Sequence, residues 1–544
     1  MKPQLGLSKC LDSSHSLRDF SLKKYKHLSK LRVVKLPNPK FEQNPKRMSI
    51  LLKLSVSVKS LDLSQYGLLE KYSRSKIKLV AKKFSKITGF SPFKSKKGSK
   101  GFLLTKIMLK KAKNLRHLFL KAVFDDSLSH HLFHLVSQNK LETLDLISLS
   151  SPQYKSVWLL NYLNYLPPSV EELCFSLREQ MRDGSILDLS INHLENLQKL
   201  ELGMLLSIET FTKIIKSIYD SSKLKVLRFH LKKCQNDGSY LPEIQAFLGS
   251  CLNLEELSIQ TDMDVHPSHV RLMKLQKLSI ESTEGLLRIM HFIQQQKDSL
   301  ESLSLTSKLW NIDLVGGFLE GLKSLERLKK LRLNLKSDGC VMKALALVEL
   351  IEALEYLEEV DFLDLLVEFK EDSFERFCKA LQKRSSSLRS LKLSFNKFSM
   401  DQKSLSLFIQ TLNSLSRLEH VTFKDFGIED AGFYSELREL VCCRNKELNE
   451  VILERVKRNN INIYSDNLIK MLKDIIHKPT MRRLCYLEEE VKPEFALDFK
   501  DLEVLSLFDD ILKEVHHFDY LRLLSYTCQP TFYYWDLDLH KWSS

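Results

Sequence analysis

SLRSLKLSFNKF, residues 387–398, places Leu388, Leu391 and Leu393 in the order apolar, two residues, apolar, one residue, apolar. Leu391 and Leu393 stand two apart, so in an extended strand they point to one side while Ser390, Lys392 and Ser394 point to the other. One copy of this order is a leucine cluster; many copies at a fixed step decide the fold.

The order recurs almost end to end. Full copies run through Leu28, Leu31, Val34, Leu36; Leu194, Leu197, Leu200, Leu202; Cys251, Leu254, Leu257, Ile259; and Leu272, Leu275, Leu278, Ile280. Three more are Leu325, Leu328, Leu331, Leu333; Leu354, Leu357, Val360, Phe362; and Leu415, Leu418, Val421, Phe423. Shorter copies at Leu61, Leu118, Leu144, Leu173, Leu227, Leu303, Leu391, Val451 and Leu505 fill the intervals, and most steps span 25 to 31 residues. The gaps from Leu61 to Leu118 and from Val451 to Leu505 are each about two periods. A degenerate copy is expected in each, at Ile77 and Leu79 and at Leu484 and Tyr486.

Between copies, Phe211, Ile214, Ile215 and Ile218 recur at helical spacing, as do Leu286, Ile289, Met290, Ile293 and Leu405, Phe408, Ile409, Leu412. A lone strand and helix cannot bury both apolar faces, whereas stacked copies bury a continuous core. The units resemble leucine-rich repeats, most closely the ribonuclease-inhibitor-like class that alternates strand and helix. That resemblance implies an α/β solenoid, a curved horseshoe with a parallel sheet on the concave face and helices on the convex face. The organisation read from the sequence is an N-terminal cap segment at 1–27, repeats over 28–507 with a lysine-rich insertion near 64–113, and an aromatic C-terminal cap at 508–544. Asn396 alone keeps the asparagine that such repeats place after the strand.

Charge divides the chain. Of the 544 residues, those from 1 to 120 hold 30 Lys and Arg against 5 Asp and Glu, or +25, which leaves −10 for the rest. The basic loop at Lys94, Lys96, Lys97 and Lys100 is a candidate for an anionic polymer or membrane surface, with solvated lysines as the plainer reading. The ten cysteines include no CxxC pair, and no run of 18 apolar residues occurs. The expected setting is therefore intracellular and reducing, cytoplasmic with nuclear import as the alternative.

Nothing in the sequence points to catalysis or to a cofactor. The phosphate-loop, nucleophile-elbow, kinase and zinc signatures are absent. His130 and His134 share a helical face, but Leu132 and Leu135 make an ordinary amphipathic helix the stronger reading. The expected function is non-enzymatic binding of a protein partner on the concave row, where Phe119, Asp145, Glu201, Arg228, Arg332, Asp361 and Lys392 are the candidate contacts. Mixed signs along that row disfavour nucleic acid, which wants a basic stripe. Two alternatives stand beside this reading, a substrate-recognition subunit of a ubiquitin ligase and anion binding by the basic quarter. Around the opening stretch, Ser390, Lys392 and Ser394 are expected to be available for binding.

Overall fold

The computed structural model describes residues 33–35, 60–62, 89–91, 114–122, 141–148, 166–177, 191–232, 241–261, 270–282, 286–307, 315–335 and 342–362. It further describes 367–369, 371–394, 399–424, 427–428, 447–458, 483–488, 520–526, 530–536, 541–543 and a few single residues. The chain forms two compact units, Met1–Leu275 and Gln276–Ser544.

In the first unit the strands Val33–Lys35, Ser60–Asp62, Gly89–Ser91, His117–Ala122, Thr143–Ser148, Glu172–Leu177, Lys199–Ser207, Val226–Lys232 and Glu256–Thr261 pair in parallel, each with the next in sequence. Helices α1 (Ile208–Lys216) and α2 (Leu241–Ser250) follow the later strands. The repeat leucines are the core. Leu200, Leu227 and Leu257 are fully buried, and the ring of Phe211 in α1 stacks on Phe229 of the neighbouring strand at 4.3 Å between centroids. Ser207 starts α1 by accepting a hydrogen bond from the Thr210 amide, as an N-cap serine does.

The second unit repeats the plan with strands Lys277–Ser282, Ser302–Ser307, Lys330–Leu335, Glu359–Phe362, Ser390–Ser394, His420–Lys424, Glu450–Arg458, Arg483–Glu488 and Tyr520–Tyr526. Its helices are α3 (Leu286–Gln295), α4 (Val315–Lys323), α5 (Ala344–Ala353), α6 (Glu371–Gln382) and α7 (Gln402–Ser414). Leu405, Phe408, Ile409 and Leu412 in α7 are buried, which follows from their helical spacing. Phe408 reaches Phe423 on the adjoining strand, with ring centroids 5.3 Å apart. Parallel pairing ends at Tyr520–Tyr526, to which Pro530–Asp536 adds antiparallel, followed by Lys541–Ser543.

Backbone hydrogen bonds join the repeats in a fixed way. In many repeats the carbonyl of the residue two places before the first core position of the strand accepts two amides from the next repeat. Glu301 O takes Lys329 N and Lys330 N, Lys329 O takes Glu358 N and Glu359 N, and Glu358 O takes Arg389 N and Ser390 N. The same fork occurs at Arg116, Glu142, Glu171, Gln198 and Lys225 in the first unit.

Two degenerate copies were expected, and one sits where the sequence placed it. Leu484 and Tyr486 align with Val451 and Leu453. In the earlier gap the strand is Gly89–Ser91, and Phe90 aligns with Leu61 and Leu118, whereas Lys78 between Ile77 and Leu79 is helical. A strand needs extended backbone and an apolar residue at the right register, and Phe90 supplies both without forming a leucine pair. Beyond Leu484 the aligned residue is Leu521, and Leu505 lies outside the described residues. Asn396, His130, His134 and the aromatic side chains of the C-terminal cap also lie outside them. Among the described residues, no helix is long and apolar enough to cross a membrane.

Candidate protein-binding surface

Strand pairing brings the candidate residues into two unbroken rows. In the first unit Phe119, Asp145, Cys174, Glu201, Arg228 and Ser258 are successive partners. In the second the row is Ser279, Ser304, Arg332, Asp361, Lys392, Thr422 and Ile452. Each row member lies between two core positions, as in Glu256–Thr261, where half-buried and buried residues alternate. Parallel strands follow one another in sequence order, apolar residues recur at their aligned positions and are buried wherever their side chains are described, and a helix follows many of the strands. The fold is a leucine-rich repeat solenoid.

No protein-family model and no curated protein matches the chain. Solved structures similar to it include an internalin from Listeria monocytogenes, at 14% identity over 60% of this chain and 88% of that one, with a TM-score of 0.31. Another is the yeast Rad7 and Elc1 complex, at 16% identity over 59% of this chain and 75% of that one, with a TM-score of 0.36. The leucine-rich repeat assignment rests on the strand register itself.

Among the described residues, several charges on the strands are paired with the neighbouring strand. In the first unit Arg228 donates through Nε to Glu256 Oε1 at 2.8 Å and through Nη1 to Glu201 Oε2 at 3.3 Å, and its Nη2 also meets Glu256. Burial works against the charged guanidinium, but the hydrogen bond and charge of Glu256 and the charge of Glu201 outweigh it and raise its pKa. Lys199 Nζ lies 3.7 Å from Glu201, and the Cys174 thiol donates to the same carboxylate at 3.6 Å. The result is a compact group that neutralises itself.

In the second unit Arg332 Nε stands 3.6 Å from Asp361 Oδ2, and Lys329 pairs with Glu301 at 2.9 Å. The side chain of Arg332 is 52% exposed and that of Asp361 is 16% exposed, so the guanidinium projects from the row while its partner lies low. Lys392, half-buried, is the next member. Phe119 and Asp145 keep their places in the backbone register, and their side chains lie outside what the structure describes. Lys94, Lys96, Lys97 and Lys100 lie outside the described residues altogether.

Ser390 and Ser394 are 8% and 5% exposed, so the expectation that they are available for contact is corrected. A serine side chain is short, and Ser390 stands between the longer Glu359 and His420 in the register. Of the three outward positions in the opening stretch, Lys392 is the accessible one. Sequence reading missed the role of Glu256, which sits two residues before its row position and reaches Arg228 diagonally. The alternation of signs from Glu201 to Arg228 was the available signal.

The thiols divide by burial. Cys251 and Cys378 are fully buried, and burial pushes each pKa up to about 12, since a thiolate loses its hydration there. At pH 8 the folded chain should therefore hold both as unreactive thiols, because the thiolate is the nucleophile. Cys174 is partly exposed. Iodoacetamide followed by peptide mass analysis should find Cys174 alkylated well before the other two; equal rates at Cys174 and Cys251 in the folded protein would contradict this packing.

Proposed function

We propose that the chain is a non-enzymatic scaffold that binds a protein partner on the open strand face, through the row containing Arg332, Asp361 and Lys392. The observation that carries this reading is the in-register run of a cation, an anion and a cation on three successive strands, with the Arg332 side chain half-exposed. Arg332 is the exposed member of its pair, so its guanidinium can meet a carboxylate of a partner while staying beside Asp361. Both signs at fixed spacing favour a protein with a complementary pattern and disfavour a polyanion, which gains from each added cation. Arginine at the centre of such a surface is a common energetic anchor.

The test is quantitative capture of cellular proteins on the full chain and on a double variant, Arg332→Glu with Lys392→Glu. A partner retained by the original chain should fall by about tenfold or more on the variant, which is one to two lost charge contacts. Because Asp361 is only 16% exposed and loses both cationic neighbours, the unfolding midpoint should fall somewhat, and capture is compared at a temperature where both chains are folded. Equal capture by both chains, or a measured turnover in place of a saturable partner, would end this reading.

A further inference from the structure

The turns leading into the strands of the first unit are laced together by side chains that each reach back one repeat. Asn196 donates to Pro168 O at 3.2 Å, Lys223 to Glu195 O at 2.8 Å, Asn253 to Ser222 O at 2.8 Å, and Lys274 to Asn253 Oδ1 at 2.6 Å. The lacing fixes the turns side by side. The residue before each lacing side chain therefore occupies an equivalent slot, and in chain order that slot holds Glu195, Ser222, Leu252 and Met273.

The last two are apolar and bare, 65% and 66% exposed. They are surplus to the core, because Cys251, Leu254, Leu272 and Leu275 around them already fill it. Tyr219, also 65% exposed, stands in the loop just before Ser221, whose hydroxyl is 2.6 Å from that of Ser250 beside the Leu252 turn. Leu252 and Met273 thus share one slot on neighbouring turns, and Tyr219 lies just ahead of the turn that precedes them.

The rim of this edge is basic. Lys223, Lys225, Arg271 and Lys274 are exposed across the same turns, against Asp220 and Glu255. The Asp220 carboxylate is already engaged by the amide and hydroxyl of Ser222, at 3.0 and 2.6 Å. Three such side chains offer an apolar area on the order of a few hundred Å², against ~800 Å² per partner in a stable complex of two folded proteins. The area suits one short segment and is too small for a second copy of the chain.

We infer that this edge binds a short amphipathic helix of a protein partner, apolar where it covers Tyr219, Leu252 and Met273 and carrying carboxylates beside that face. Neighbouring strands step by about 4.8 Å, and side chains three or four apart on a helix stand about 5–6 Å apart, so successive residues of one helical face meet successive turns. The carboxylates answer the four cations.

The probe is a fluorescein-labelled synthetic peptide of about five helical turns, with Leu at helical spacing and Glu and Ala elsewhere. A counterpart carries Lys in place of Glu, and vesicles of phosphatidylserine in phosphatidylcholine form a third arm. The Glu peptide should bind the full chain and slow amide exchange in 219–225, 250–255 and 271–275, while the Lys peptide binds about tenfold more weakly or not at all. Leu252→Ser with Met273→Ser should weaken the Glu peptide by about tenfold or more, with thermal unfolding unchanged. If that variant fails to fold, the exchange footprint on the unaltered chain and a Lys274→Glu variant decide. Equal binding of both peptides or a footprint elsewhere would overturn the inference. So would vesicle binding that depends on these residues without peptide binding, or self-association that the double variant abolishes.

Discussion

Phe408→Ala should lower the stability of the second unit by about 3–5 kcal/mol, the cost of emptying a large aromatic site in a packed core. Phe408 is 2% exposed, and its ring lies 5.8 Å from that of Phe374 in α6 and 5.3 Å from that of Phe423 on the adjoining strand. One side chain therefore joins two helices and the sheet. Phe374 in turn packs against Phe377 and Phe369, so the void opens at the edge of an aromatic cluster whose rings lose their contacts with Phe408. Because repeats couple mainly to their neighbours, the loss should be regional. Amide exchange should quicken most within 371–424, and the urea midpoint of the second unit should fall. A midpoint within error of the original, or a loss spread evenly through the first unit, would show that the ring does not fill this site.

Arg384→Ala should have the next largest effect, about 2 kcal/mol, in the range of hydrogen bonds made by charged groups. Helix α5 ends without a basic residue in its last turn, which leaves its final carbonyls to find donors. Arg384, in the turn after α6, supplies them from the next repeat. Its Nε donates to Ile351 O at 3.2 Å, Nη2 to Glu352 O at 2.7 Å and Nη1 to Glu355 O at 3.2 Å. A guanidinium also places positive charge at the negative end of the helix. Arg384→Lys should recover less than half of the loss, because an ammonium cannot serve three carbonyls in that fork. Equilibrium unfolding of the three chains gives the answer. If lysine restores full stability, the charge alone matters and the fork does not.

The parts of this fold that the sequence disclosed are those repeated often enough to form a pattern. Leu331 and Leu333 could be read as core because their counterparts return at Val360 and Phe362, and the row containing Arg332 and Asp361 followed by alternation. Contacts made once left no pattern. Phe90 holds a core register position with no leucine pair around it, and Arg384 lies in a turn whose spacing advertises nothing. Leu252 and Met273 sit beside core residues of similar composition, so periodicity alone cannot separate what is buried from what is bare. Ser390 and Ser394 show the converse. Alternation assigns them to the outer face, but Ser390 stands between the longer Glu359 and His420, and Ser394 stands beside the longer Lys424.

The forked carbonyls carry a consequence for how such a chain can change its length. Because Glu301, Lys329 and Glu358 engage the next repeat through main-chain atoms, the joint is indifferent to which residue supplies it. A whole period can in principle be duplicated or excised between equivalent positions and still present two amides to a waiting carbonyl. The number of repeats is then free to drift in evolution without any change to the joint between them.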